Sequence, residues 1–170
     1  TPRINGCEDY PNIEQKMAFQ VMSTNSEDLT QQLSFYGLTA HSGKQLFACW
    51  NAYQGTNDDY LILPEIRNGS NVLTFWARSI PFMFGMGGED VFEIVYSTTG
   101  TEIADFVALE GSRTVVPDGF EQDPGNGYNK YEFNLPDDAK YVAIHCMSSA
   151  KVGLLIDDIE FVAADAPDET

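Results

Sequence analysis

The sequence predicts an all-β fold, a sandwich of two antiparallel sheets in a single domain. Its hydrophobic residues recur with period two or in short bursts separated by turn residues, which is the pattern of β-strands. At least seven such segments follow one another about every 10 residues, a spacing typical of sandwiches rather than of βαβ folds. A chain of 170 residues, 43% hydrophobic and with eleven Phe, can also bury one substantial core.

Two segments in the first half of the chain are the clearest strands. DDYLILPEI (58–66) is a short apolar run that Pro64 closes, and VLTFWARS (72–79) follows it. The intervening RNGSN (67–71) contains an Asn-Gly turn signal, so the two runs are predicted to form a β-hairpin. The segment NSEDLTQQLSFYG (25–37) fits either a short helix or a loop.

The second half of the chain continues the strand pattern. Five further strands are predicted, in EDVFEIVYSTTG (89–100), EIADFVALEG (102–111), YNKYEFNL (128–135), KYVAIHCMS (140–148) and GLLIDDIEF (153–161). In the third of these, Tyr131, Phe133 and Leu135 share one face. The domain is therefore expected to span residues 1–163, and residues 164–170 form an acidic tail or linker.

The net charge of the chain restricts the classes of binding partner that are expected. The net charge is −17, from 9 Lys plus Arg against 26 Asp plus Glu, so nucleic acids and anionic membrane surfaces are poor partners and divalent cations are better ones. No window approaches the 18 or more apolar residues of a membrane span, so membrane insertion is not expected. The opening TPRINGCEDYP lacks a signal-peptide pattern, which does not argue for the cytoplasm, because leaders are removed from mature secreted proteins.

The three cysteines, Cys7, Cys49 and Cys146, are far apart in the sequence. They form no C-x-x-C pair, and no histidine lies at zinc-site spacing from them, so zinc is not expected. The odd count leaves at least one free thiol. Small buried cysteines on strands are favoured, and one disulfide is the alternative.

The two histidines give little support for an enzyme. His41 lies in a loop-like stretch, and His145 shares a strand face with Tyr141 and Ala143, so it is interpreted as a sheet histidine rather than a catalytic base. The sequence contains neither G-x-S-x-G nor H-E-x-x-H. We therefore expect a non-catalytic protein, with a carbohydrate-active hydrolase as the alternative, because a glycosidase needs only two carboxylates.

Aromatic side chains near turns are the candidate ligand-binding residues, since they stack on sugar faces or anchor a protein partner. The candidates are Trp50, Trp76, Phe82, Phe84 and Tyr128. The loop PFMFGMGG (81–88), which carries Phe82 and Phe84, is the strongest candidate, because its glycines leave apolar side chains on a flexible segment. The alternative is that these aromatics cover the core.

Several motifs, taken in order, resemble one known family. After DDYLILPEI come FWARS, FEIVYSTTG, YVAIHC and LLIDDIEF, an order similar to that of the cleaved-adhesin domain, also called the choice-of-anchor J domain, of bacterial surface and secreted proteins such as gingipains. The resemblance covers residues 5–163. It implies a jelly-roll sandwich that binds calcium and acts as an extracellular or cell-surface adhesion module within a larger protein, recognising a carbohydrate or a protein partner.

The last strand carries two adjacent carboxylates among apolar residues. On a regular strand, Asp157 lies on the same face as Leu155, Ile159 and Phe161, so it is predicted to point into the interior, while Asp158 points to a more polar surface. An isolated buried carboxylate is costly, so it needs a cation, several hydrogen-bond donors or a proton.

Calcium is the cation that best fits Asp157. It takes six to eight oxygen ligands, and only 9 Lys and Arg residues are available as alternative partners. The first and last strands of a jelly roll are commonly neighbours, so Glu8 is the first candidate ligand, with Asp9 as its substitute, and the resemblance also points to Glu8. Asp58 and Asp59 are further candidates. The alternative is that backbone N–H groups hold the Asp157 carboxylate.

Overall fold

The computed structural model describes residues 19–24, 39–50, 55–67, 69–81, 88–120 and 123–163. Several predicted features lie outside the described residues: Glu8, Asp9, Cys7, Phe82, Phe84, the segment 25–37 and the tail 164–170. None of the described helices is long and apolar enough to cross a bilayer.

Strands dominate the described residues. They are β1 (Phe19–Ser23), β2 (Gln45–Trp50), β3 (Asp59–Ile62), β4 (Val72–Ser79), β5 (Asp90–Ser97), β6 (Val107–Ala108), β7 (Thr114–Val116), β8 (Asn129–Asn134), β9 (Tyr141–Cys146) and β10 (Gly153–Val162). Two short 3₁₀ helices, Ile103–Asp105 and Pro124–Gly127, interrupt the connections. The predicted all-β class is confirmed.

The strands form two antiparallel sheets. The first sheet has the order β1-β2-β10-β4-β8, and the second has the order β3-β9-β5-β6, with β7 also pairing with β5. From β2 to β5, and again from β8 to β10, successive strands alternate between the sheets. This alternation is the connectivity of a jelly roll, so the predicted sandwich is confirmed.

The predicted hairpin of 58–79 is wrong. Strand β3 pairs with β9 in the second sheet, whereas β4 pairs with β10 and β8 in the first. The Ser70 N–H does donate to the Arg67 carbonyl at 3.0 Å, but this local contact lies within a longer connection between the sheets. That crossing lets the apolar faces of both strands bury themselves in one core.

The inter-sheet core consists of apolar side chains from the facing sides of both sheets. Its buried members include Leu73, Phe75, Phe92, Ile94, Val142, Ile144, Leu154 and Ile156. Phe75 and Phe92 meet edge to face, with ring centroids 5.3 Å apart. The predicted common face of Tyr131, Phe133 and Leu135 is confirmed, because all three pack on this core.

A second apolar layer, here called the outer cluster, covers the opposite side of the first sheet. It comprises Met22, Ala40, Leu46, Ala48, Ile80, Tyr128 and Leu155, with Trp50, Trp76 and Val152 packed against them. Loop residues Ala40 and Tyr128 lie over strand residues, so connections cover this face of the sheet. The first sheet therefore packs against apolar groups on both of its sides.

Candidate functional site

A β-bulge in β10 sets the direction of the two adjacent carboxylates. The pairing of β10 with β4 shifts register between Asp157 and Glu160, and Asp158 has a positive φ of 47°. A bulge adds one residue to a strand, so it reverses the alternation of faces beyond it. Ile156 and Ile159, on either side of the bulge, therefore both pack on the inter-sheet core.

Asp157 consequently lies on the outer face of the first sheet, opposite Trp76 on β4. The prediction that it points into the interior is wrong, because regular alternation does not hold at the bulge. Its Oδ1 accepts the Asp158 N–H at 2.8 Å, and its Oδ2 accepts the Ser42 N–H at 3.1 Å. This buried carboxylate therefore has backbone N–H donors on both oxygens. This is the arrangement expected if backbone N–H groups, rather than a cation, hold the Asp157 carboxylate.

Asp158 connects the segment 39–44 to the bulge through side-chain hydrogen bonds. His41 Nδ1 lies 2.7 Å from Asp158 Oδ2, and the Ser42 hydroxyl donates to Oδ1. Partial burial raises the pKa of the Asp158 carboxyl, but the hydrogen bonds from His41 and Ser42 outweigh it, so the pKa lies below its usual value. The charged carboxylate is thus the form that holds this segment in place.

Three of the predicted ligand-binding aromatics meet in the outer cluster, where they pack against other residues. The His41 ring stacks on Trp76, with centroids 4.0 Å apart, and meets the edge of Tyr128 at 5.6 Å. Tyr128 is 4% exposed and donates its hydroxyl to the Thr39 carbonyl at 2.9 Å. Trp50 is half-buried against the same cluster. The described packing supports a structural role for Tyr128 in particular.

Arg78 is buried beneath the loop that carries Tyr128. It is 1% exposed, and its Nη1 donates to the carbonyls of Gly119 at 3.3 Å and Asn126 at 3.0 Å. Its guanidinium carbon also lies 5.2 Å from the centre of the Tyr128 ring. One buried cation therefore ties two parts of this loop to β4.

The structure does not bring Asp59 to Asp157. Asp59 pairs with Cys146 on the inner side of the second sheet, whereas Asp157 lies on the outer side of the first. The Cys49 thiol donates to Asp59 Oδ2 at 3.6 Å, and Oδ1 is buried with no hydrogen-bond partner among the described residues. Burial raises the pKa of Asp59 to about 6.

Asp58 belongs to a group of four side chains on the outer face of the second sheet, here called the His145 cluster. Its members are Asp58, Tyr60, Glu93 and His145. The pairing of β3, β9 and β5 places Tyr60, His145 and Glu93 side by side. His145 Nδ1 lies 2.9 Å from Glu93 Oε1, and Nε2 lies 2.8 Å from Asp58 Oδ1. The Tyr60 ring stacks on the imidazole at 4.1 Å and 9°. Both nitrogens can donate to these carboxylates only in the imidazolium form.

The His145 cluster combines a fixed interior with an accessible rim. The side chain of His145 is only 10% exposed, that of Glu93 is 21% exposed and that of Asp58 is 77% exposed. The His145 ring is hydrogen-bonded to both carboxyl groups, and Tyr60 adds a half-buried aromatic ring. The cluster therefore presents oriented hydrogen-bond acceptors beside an aromatic surface.

Sequence reasoning named Asp58 as a candidate metal ligand and His145 as a sheet histidine, and it did not single out Tyr60 or Glu93. The predicted face of His145 is confirmed, since Val142, Ile144 and Cys146 are buried on the other side of β9. Alternation within each strand could place Tyr60 and Glu93 outward as well. It could not show that these strands are neighbours. Among the residues that the structure describes, no three His, Cys, Asp or Glu side chains are grouped so that they could hold a metal ion.

Comparisons with known proteins show relatives at the level of family and fold. The family model described as Cleaved Adhesin Domain matches residues 23–161. The K2 cleaved adhesin domain of Lys-gingipain superposes with a TM-score of 0.63 at 23% identity, over 88% of this chain and 85% of that one. The K1 domain of the Porphyromonas gingivalis W83 protein gives 0.56 at 17% identity, over 94% of each chain.

One further structural neighbour is a carbohydrate-binding module. TmCBM61, solved in complex with β-1,4-galactotriose, superposes with a TM-score of 0.50 at 13% identity, over 95% of this chain and 88% of that one. No curated protein matches the sequence of this chain. At these identities the structural neighbours show a shared sandwich fold.

Proposed function

The chain belongs to the cleaved adhesin domain family, and from this premise we propose that it is a non-catalytic adhesion module that binds a carbohydrate. We place it in a secreted or cell-surface bacterial protein, as one part of a larger chain. The observation that carries the carbohydrate assignment is the His145 cluster, with its aromatic ring beside fixed carboxylates. A protein ligand on the same face is the second candidate, because partner proteins also offer hydroxyl and amine donors.

The chemistry of the His145 cluster suits a sugar. An aromatic ring packs against the C–H face of a pyranose, and carboxylate oxygens accept hydrogen bonds from its hydroxyl groups. Asp58 and Glu93 are oriented by hydrogen bonds to the same His145 ring, so little side-chain freedom is lost when a ligand binds. Tyr60, Glu93 and His145 lie on three adjacent paired strands, which are more rigid supports than loops.

A hydrolase fits this cluster less well. A glycosidase needs one protonated carboxylic acid beside one ionised carboxylate. The bond that is cleaved lies between these two groups. The ring of His145 lies between Asp58 and Glu93 and is hydrogen-bonded to both, so the space between these two carboxyl groups is already filled. This arrangement supports recognition rather than bond cleavage.

Removing the aromatic surface tests the proposal. We expect Tyr60→Ala to weaken binding of the carbohydrate by about 5-fold or more, because a stacked aromatic group contributes on the order of 1 kcal/mol or more. Tyr60→Phe keeps the ring and should bind nearly as well as wild type. The ligand is first selected on a glycan array, and the affinity of each variant is then measured by isothermal titration calorimetry.

Two further variants test which face of the sandwich carries the binding site. Gln45→Ala alters an exposed position on the first sheet and should leave the affinity unchanged. Trp50→Ala tests the outer cluster. Loss of binding in Trp50→Ala together with full binding in Tyr60→Ala would move the site to the first sheet and reject our assignment.

We also propose that the domain binds structural calcium, in keeping with its net charge of −17. The described residues alone do not form a calcium cage, because the Asp157 oxygens accept backbone N–H groups and Asp158 pairs with His41. Each Asp157 oxygen keeps a further lone pair that is able to bind a cation. Calcium takes six to eight oxygen ligands, so the proposed site also needs Glu8 or Asp9 beside Asp157. Bound calcium would neutralise these carboxylates.

Calcium is therefore expected to raise the melting temperature by several degrees when its concentration is far above its dissociation constant. The measurement compares melting curves in millimolar calcium and in EDTA, with magnesium as the control cation. Asp157→Asn should remove the difference. Identical curves for the wild-type protein in calcium and EDTA would contradict the calcium proposal.

A further inference from the structure

Two buried thiols face each other across the sandwich. Cys49 lies on β2 of the first sheet and Cys146 on β9 of the second, and both are 0% exposed members of the inter-sheet core. Both are free thiols in this structure. The binding function described above makes no use of them.

The amide of Asn57 lies beside both sulfurs. Asn57 Nδ2 is 3.4 Å from Cys49 Sγ and 3.9 Å from Cys146 Sγ, so one N–H₂ group contacts both thiols. The same amide donates to the Trp50 carbonyl at 2.9 Å, which fixes its position between the sheets. The thiols therefore converge on one anchored point.

The surroundings oppose ionisation of these thiols in the folded state. Burial raises the pKa of Cys49 well above its usual value, and hydrogen bonding to Cys146 and the charge of Asp59 raise it further. Thiolate is the form that attacks a disulfide, so exchange at Cys49 is slow once the sheets have closed. A cross-link at this place has to form while the chain is still folding.

We propose that Cys49 and Cys146 form a disulfide that joins the two sheets when the chain folds in an oxidising compartment. Both thiols lose their protons and the pair gives up two electrons as the S–S bond forms. The oxidant is a low-molecular-weight or protein disulfide, which is reduced to two thiols and takes up the two protons. The linked residues are about 100 positions apart in the sequence, so the bond constrains most of the unfolded chain.

The disulfide is tested by refolding the full chain in a glutathione redox buffer. Remaining thiols are then alkylated under denaturing conditions, and the digested protein is analysed by mass spectrometry. We expect a peptide pair linked through Cys49 and Cys146, and an alkylated Cys7. The Cys7→Ser variant is the matched control and should give the same linked pair.

Thermal unfolding gives an independent readout. The oxidised protein should melt about 5–15 °C above the reduced protein, because a cross-link over so long a loop removes much of the entropy of the unfolded chain. In Cys49→Ala/Cys146→Ala, the melting temperature should not depend on reductant. Alkylation of both Cys49 and Cys146 after oxidative refolding, or a link that includes Cys7, would overturn the proposal. The wild-type mass spectrum decides this even if the double variant does not fold.

Discussion

Replacing Arg78 with methionine is expected to lower the free energy of unfolding by about 3 kcal/mol. The substitution leaves the buried carbonyl of Gly119 and the partly buried carbonyl of Asn126 without the guanidinium that now donates to both. An unpaired buried polar group costs about 1–3 kcal/mol. Methionine fills a similar volume but also loses the contact with the face of the Tyr128 ring.

Equilibrium unfolding in urea measures this loss. Arg78→Lys should fall between wild type and Arg78→Met, because an ammonium keeps the charge but lacks the planar fork that reaches two carbonyls. The exposed Arg67 supplies the matched control, and Arg67→Met should stay within about 0.5 kcal/mol of wild type. If Arg78→Met were equally mild, Arg78 would not hold the loop to β4.

Strand periodicity was sufficient to predict the class of fold but not the partners of each strand. The alternation of Tyr131, Phe133 and Leu135 identified an inward face correctly, because that face depends only on local geometry. The hairpin between residues 58 and 79 failed, since a turn signal does not determine whether the next strand stays in the same sheet. Strand pairing is decided by burial of the whole core.

Local periodicity also failed to predict two features of the candidate site. Tyr60, Glu93 and His145 come from three segments far apart in the sequence, and only the order β3-β9-β5 makes them neighbours. Regular alternation places Asp157 on the wrong face, because one extra residue in a bulge reverses the alternation. The positive φ of Asp158 that accompanies the bulge has no clear signal in LLIDDIEF.

The pH dependence of stability should change when Asp59 is replaced by asparagine. Burial raises the pKa of Asp59 from 3.8 to about 6, so the folded state binds this proton more tightly than the unfolded state does. The resulting stabilisation is fully present below pH 3.8 and is lost as the pH rises through 6. Asp59→Asn carries no charge at any pH and avoids this loss.

We therefore expect wild type and Asp59→Asn to be about equally stable near pH 3.5, and the variant to be more stable at pH 7. The pKa shift of about two units sets an upper limit of about 3 kcal/mol on that gain. Urea unfolding of both proteins at several pH values measures the difference directly. Reducing buffer keeps Cys49 as a thiol, so that it still donates its hydrogen bond to Asp59.

Other carboxylates also titrate in this range, so the informative quantity is the difference between the two proteins. Asp158, whose pKa is lowered, loses its stabilising contribution as the pH falls, and it does so in both proteins. The exposed Asp137 provides the control, since Asp137→Asn should follow wild type within about 0.5 kcal/mol at each pH. A constant difference between wild type and Asp59→Asn from pH 3.5 to 7 would mean that the Asp59 carboxyl titrates normally, and hence that its buried Oδ1 has a polar partner in solution.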